Sequence, residues 1–177
     1  MKPAPKRRAA APSVDIQAQS PLWDGQPLAE QTGRDAIAAA AAALSTADGE
    51  VSILLTDDKA IRVLNRDWRG IDKPTNVLSF PAPGVAGGEK MFGDIVIAYE
   101  TLARECDEEE LIFDHHLAHL SVHGFLHLIG YDHQTDSDAD AMEALESKIM
   151  IAMKRPDPYS GRDLASASGL DSSLGGA

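Results

Sequence analysis

The sequence predicts an α+β fold: a small mixed β-sheet packed with helices. Three observations lead there. Short apolar runs recur near residues 51–55, 76–80 and 95–98, with the length of strands. Longer stretches with helical spacing of apolar side chains lie between and after them, giving the order βαβαββααα. The chain has 177 residues, 44% of them hydrophobic, which suits one domain with a real core.

Each element has a local reason. Residues 1–12 are proline, alanine and base, with too little apolar surface to fold, and read as a disordered basic tail. Residues 14–18 alternate apolar and polar as an edge strand does. Residues 28–44 are rich in alanine and read as a helix, closed near Asp48 and Gly49. A strand at 51–55 leads to Thr56 and Asp57, good N-caps for a helix over 59–65 whose Ile61 and Leu64 face the core. Residues 69–73 read as a loop ended by Pro74. The strand at 76–80 is terminated by Pro81 and Pro83, and 84–90 reads as a turn or flexible loop.

A strand at 95–98 follows, then a helix from 99 to about 106, then one long helix over 108–129. Leu117, Leu120, Phe125, Leu126 and Leu128 make this helix apolar on several sides, so it is expected at the centre. Thr135 and Asp138 form a capping box for a last helix, with Met142, Leu145, Ile149 and Met153 on its buried face. Residues 156–177 are Ser, Gly, Ala and Asp with proline and read as a disordered tail. The domain is thus expected to span residues 13–155.

Bulk properties exclude several classes. No apolar stretch is long enough for a transmembrane helix, and the N-terminal residues lack the apolar region of a secretory signal. The single cysteine, Cys106, cannot form an internal disulfide and fits a reducing cytoplasm. Net charge is −12, the wrong sign for a generic nucleic-acid binder. Acid is concentrated in Asp107–Glu110 and in residues 136–146, which read as solvated helix faces. Base is concentrated in Lys59, Arg62, Arg66, Arg69 and Lys73.

All six histidines lie between His115 and His133. The string His123-Gly-Phe-Leu-His127-Leu-Ile-Gly130-Tyr-Asp-His133 has a physical reading. His123 and His127, four apart, share one helix face. Gly130 can take the left-handed conformation that ends a helix, so the chain turns back and brings His133 toward the other two. Three imidazoles with an open fourth position describe a catalytic zinc site, although Ni2+ or Cu2+ also suits them. His119 is one turn earlier and about 12 Å along the axis from His127, too far to share one ion. It reads as a residue behind the ligands, and His115 and His116 as surface or structural. Asp132 either orients an imidazole or bonds nearby backbone.

Zinc peptidases with this histidine spacing carry Glu directly after the first ligand, as general base. Here that position is Gly124, which cannot take a proton.

The run His119-Leu-Ser-Val-His123-Gly-Phe-Leu-His127-Leu-Ile-Gly130-Tyr131-Asp132-His133 resembles the signature of the YbeY family. Two more blocks match in order. One is Leu64-Asn-Arg-Asp-Trp-Arg69-Gly-Ile-Asp-Lys73-Pro74-Thr75-Asn76-Val-Leu-Ser79-Phe80-Pro81, the other Gly93-Asp94-Ile-Val-Ile. The resemblance implies a zincin-like core with the metal site on a central helix and the following loop. It implies a bacterial, metal-dependent, single-strand-specific endoribonuclease acting in ribosomal RNA maturation and ribosome quality control. The site residues so expected are Arg69, His123, His127 and His133, with one Zn2+ per chain held by the three histidines.

Arg69 would stabilise the charge that develops in phosphodiester cleavage. Lys73 and Arg66 are weaker phosphate contacts. Asn76 and Ser79 either line the cleft or pair within the sheet, and Asp94 reads as fixing a strand end. Partners expected are single-stranded RNA, ribosomal RNA and components of the small ribosomal subunit, with no membrane and no DNA. A zinc metallopeptidase or other metal-dependent hydrolase is the alternative, and a binding module with structural zinc the third reading.

Overall fold

The computed structural model describes residues 11–46, 48–83 and 90–160. The expected tails lie mostly outside these residues, as does most of the expected loop at 84–90.

Four strands form one mixed sheet: β1 (Ser13–Ala18), β2 (Glu50–Thr56), β3 (Val77–Pro81) and β4 (Met91–Ala98), in the spatial order β1-β2-β4-β3. β1, β2 and β4 are parallel, and β3 lies antiparallel to β4 at the edge. Parallel neighbours need a crossover. α1 (Ala29–Leu44) carries the chain from β1 to β2, and α2 (Asp58–Arg69) with β3 lies between β2 and β4. α3 (Tyr99–Glu109), α4 (Phe113–Leu128) and α5 (Asp136–Ala152) follow.

Both sheet faces are covered, which is why the strands read as nearly continuous apolar runs. Ile53, Leu55, Ile95 and Ile97 enter the large core with Ala36, Ile37 and Ala40 of α1 and Val122 and Phe125 of α4. Val96 and Leu78 point the other way, against Ile61 of α2. The expected α+β architecture is the one observed.

Four local features differ from the expectation. Pro21–Gly25 forms a 3-10 turn capped by Ser20; its Trp23 is buried and donates from Nε1 to the Thr56 carbonyl at 2.9 Å. β4 begins at Met91 rather than 95. α2 continues through Arg69 to Gly70, whose φ of 70° closes it, so Arg69 is the last helical residue rather than the start of a loop. Arg66 and Arg69 favour this longer helix by placing positive charge at its negative end.

The two helices expected at 99–106 and 108–129 are both present, but the break between them, expected near 107, falls at 110–112. Glu110 takes a left-handed conformation with φ 55°, Ile112 is extended, and α4 starts afresh at Phe113. The acidic run at the end of α3 opposes the helix dipole and has no base in its last turn to offset it.

α4 is central, as its sequence predicts, and packs against α1, α3, α5, β3 and β4. It approaches the sheet closely at Gly124. A Cβ there would lie 2.8 Å from Ile95 Cγ2, so any larger residue forces the helix and strand apart. At the N-terminal end of α4, Asp114 joins three segments. It accepts from Thr32 Oγ1 of α1 and from Arg155 Nη2 (2.9 Å) and Nε (3.2 Å) just beyond α5.

Burial alone would raise the Asp114 pKa. The bonds from Thr32 and Arg155 outweigh it and hold the carboxyl below its usual range. Such a group stabilises the fold above its ordinary pKa of about 3.9, and the gain is lost as pH falls toward the lowered folded value. Asp114→Asn is therefore expected to lower the melting temperature at neutral pH. The gap to wild type should close as pH drops through the carboxylate range. Melting curves of both proteins between neutral and strongly acid pH check this; a constant gap would mean packing, not charge, is lost.

Candidate metal centre

Helix geometry and one turn bring three histidines together. His123 and His127 leave the same face of α4. The helix then closes through Gly130 N to the His127 carbonyl (3.1 Å) and Tyr131 N to the Leu126 carbonyl (3.0 Å). Gly130 has φ 102°, the positive value this reversal needs. The following turn is held by Asp132, whose Oδ1 accepts from His133 N at 2.7 Å. Of the two roles open to Asp132, the structure gives it the backbone one.

His127 Nε2 lies 3.1 Å from His123 Nε2 and 3.2 Å from His133 Nε2, and one ligand atom from each ring lies within 4.8 Å of the others. A tetrahedral ion with nitrogen ligands at about 2.0–2.1 Å sets them roughly 3.3 Å apart. The spacing therefore fits a metal ion. Hydrogen bonding alone fits it poorly, because an imidazole Nε2 carries at most one proton and cannot donate to two neighbours. Burial, then the proximity of His123 and His133, pushes the His127 pKa below its usual value. That favours the neutral imidazole, the form that can bind a metal.

Behind the histidines lies a residue that the sequence reading assigned to a solvated acidic face: Glu146 of α5, fully buried. Its Oε1 accepts from His123 Nδ1 at 2.6 Å and its Oε2 from His119 Nε2 at 2.8 Å. The Tyr159 hydroxyl also donates to Oε2. Burial would raise this carboxyl; the bonds from His119, His123 and Tyr159 reverse the effect and hold its pKa at about 2.

The bond to Glu146 places the His123 proton on Nδ1 and frees the Nε2 lone pair toward the other histidines. It also occupies Nε2 of His119, which explains why His119 stands behind the cluster and not in it. One signal for Glu146 was present in the sequence. With Met142 and Ile149 it falls on the buried stripe of α5, where a charged residue is rare unless paired. Tyr159 was expected in the C-terminal tail. Instead its ring stands edge-on to His119, with centroids 5.6 Å apart, and Asp157 accepts from Ser147 Oγ at 2.7 Å, so ordered contacts run past the expected boundary at 155.

The other named residues have plainer places. His116 Nε2 bonds Glu105 Oε2 at 2.6 Å and ties α4 to α3. Asn76 bonds Glu105 and its neighbour's backbone at the start of β3. Ser79 Oγ donates to the Gly124 carbonyl at 3.0 Å, so it joins the edge strand to α4. Asp94 is exposed on β4, and Arg66 pairs with Asp67. Arg69 is exposed, and among the described residues no hydrogen bond or ion pair holds it. It makes no polar contact with the histidines.

Fold and site together define a small α+β protein with a three-histidine centre fit for a metal ion, open on the side of the exposed His133. This chain belongs to the YbeY family: a family model described as Endoribonuclease YbeY matches residues 24–154. It is 52% identical to the endoribonuclease YbeY of a Bradyrhizobium species over 160 residues, covering 86% of this chain and 95% of that one. It is 49% identical to that of Rhodopseudomonas palustris over 173 residues, covering 92% and 89%. In fold it is similar to the solution structure of TM1509 from Thermotoga maritima, with a TM-score of 0.52 and 22% identity over 93% of this chain and 99% of that one. Among the described residues no helix is long and apolar enough to cross a membrane.

Glu146→Gln is expected to keep the packing of α5 but lose the charged acceptor behind His123. Loss of such a partner typically lowers metal affinity by about 10- to 100-fold. Competition against a chelator of known affinity measures it. An unchanged affinity would show that Glu146 supports the fold alone.

Proposed function

We propose that this chain is a zinc-dependent endoribonuclease specific for single strands. It acts in ribosomal RNA processing and ribosome quality control, with ribosomal RNA and the small ribosomal subunit as partners in the cytoplasm. Family membership supports RNA as the substrate, since the relatives are named endoribonucleases. The observation that carries the metal chemistry is the convergence of His123, His127 and His133 with the His123 tautomer set by Glu146. Neutral imidazoles at this spacing suit Zn2+.

In this reading His123, His127 and His133 hold the ion, which when bound supplies Lewis acidity toward a phosphoryl oxygen. The chain's own residues do the rest. Glu146 keeps the His123 proton on Nδ1. Asp132 holds the backbone that presents His133. Arg69, ending α2 with its guanidinium unpaired, neutralises charge on the phosphodiester in the transition state.

The metallopeptidase alternative is disfavoured at Gly124 for two reasons. The residue has no side chain to act as base. A glutamate in its place would meet Ile95 before it could reach the site, because Cβ already approaches Ile95 Cγ2 to 2.8 Å.

Metal-loaded protein is expected to cut single-stranded RNA and leave casein intact, both assayed on one preparation. His133→Ala, an exposed change, should leave the fold and abolish high-affinity zinc binding. Robust casein hydrolysis lost in His123→Ala would overturn the assignment.

Arg69→Ala should keep zinc and lose about 10²–10³ in cleavage rate, the usual cost of one preorganised charge contact. Arg69→Lys should recover only part, because an ammonium lacks the two-pronged geometry. Zinc content and cleavage measured side by side decide it. Unchanged cleavage removes Arg69 from the site, and lost zinc assigns it to the fold.

A further inference from the structure

We propose that Trp68 is a stacking platform for an unpaired nucleobase, the feature by which this protein favours single strands. The inference rests on the RNA reading of the metal centre.

Ile61, Leu64, Asn65 and Trp68 follow the i, i+3, i+4, i+7 spacing of one helix face. Ile61 and Asn65 are buried against the sheet and Leu64 is half-buried. Trp68, on the same face, is 72% exposed. Within the sheet β3 pairs only with β4, so it is an edge strand. The last turn of α2 meets it at Phe80, and among the described residues no further strand lies beyond β3 to cover the indole. Trp68 meets Phe80 of β3 edge-on, with ring centroids 5.7 Å apart and planes at 64°. One side of the indole is thus braced and the other open. Bracing matters, because a side chain already held loses little rotamer freedom when a ligand stacks on it.

The surroundings name the ligand. Arg69 is the next residue, unpaired among the described residues, and Lys73 follows in the loop after α2, while Lys59, Arg62 and Arg66 line a separate recess on another face of the helix. Arg62 is paired with Asp72 and Arg66 with Asp67, so these two offer less free charge than Arg69. The chain as a whole is acidic, with net charge −12. An open aromatic ring beside cations is how single-stranded nucleic acids are held: phosphates meet the bases' flanking positive charge, and each base offers a face to stack. A duplex keeps its base faces inside its own stack, so the same platform discriminates against it.

The platform also connects to the metal centre. Phe80 faces α2, while its neighbour Ser79 faces α4 and bonds the Gly124 carbonyl, one residue from His123. The rim of β3 therefore runs between the indole and the histidines. An RNA strand laid along it can seat a base on Trp68 and present a nearby phosphodiester to the centre.

The test uses the full, metal-loaded chain. It has two tryptophans, and Trp23 is 3% exposed, so a ligand-dependent change in indole emission reports on Trp68. Oligouridylate, read immediately after mixing, should quench the emission. An abasic ribose-phosphate chain of equal length, which carries the charge without the bases, should not. Trp68→Ala should raise KM on single-stranded RNA about 5- to 150-fold, the range of one lost stacking contact, with zinc content unchanged and kcat within about twofold. Trp68→Tyr should restore most of the loss, which separates stacking from any folding defect.

Equal quenching by the abasic chain, or a wild-type KM in Trp68→Ala, overturns the platform and leaves the indole to another partner, such as an apolar protein segment. If wild-type protein cuts no RNA, the catalytic assignment fails instead. Preferential quenching by oligouridylate would still establish the platform.

Discussion

A buried carboxylate organises the half of this protein that carries the three-histidine centre. Glu146 leaves α5 in the middle of an apolar stripe and meets two histidines of α4 and a tyrosine beyond α5. A carboxylate removed from water is costly unless every lone pair finds a donor. Here three donors converge on it, and the need to satisfy it fixes how α5 lies on α4. The same contact sets which nitrogen of His123 carries the proton. Helix packing and the tautomer of His123 thus share one contact. Tyr159 extends this coupling to the segment after α5.

The second constraint is the close crossing of α4 over β4. Gly124 allows the helix to approach Ile95, and Ser79 of the edge strand bonds the same residue's carbonyl. These contacts fix α4 relative to the sheet edge, and with it the face that carries His123 and His127. In a peptidase the residue after the first histidine supplies the base. Here that position is spent on packing, so the departure from peptidase chemistry is built into the core as well as into the missing side chain.

Charge is arranged locally rather than summed. An acidic chain repels RNA at long range, and the densest acidic runs, Asp107–Glu110 and Asp136–Asp140, are exposed at the end of α3 and the start of α5. The base lies on α2 and the loop after it, where Asn65 Nδ2 holds the Lys73 carbonyl at 2.8 Å and so fixes the loop that follows Arg69. The similarity to the Thermotoga maritima structure shows that this fold is kept at 22% sequence identity.

The sequence by itself determined whatever depends on neighbours along the chain. Helical period places His123 and His127 on one face, a glycine with positive φ lets His133 return to them, and apolar runs mark the strands. The break between α3 and α4 was also legible, although the acidic run Asp107–Glu110 closes α3 a few residues later than the pattern alone places it. Tertiary structure alone decided what depends on distant partners. Glu146 stands among acids that are solvated, and only the arrival of α4 turns it into a buried acceptor. Trp68 has the spacing of a core residue, and among the described residues the sheet ends at β3 and leaves it open. Arg69 belongs to a helix because its terminal charge and Gly70 extend α2 by a turn. Local geometry propagates over a few residues through the backbone. Burial and pairing are set by which surfaces meet, and a linear pattern does not contain that.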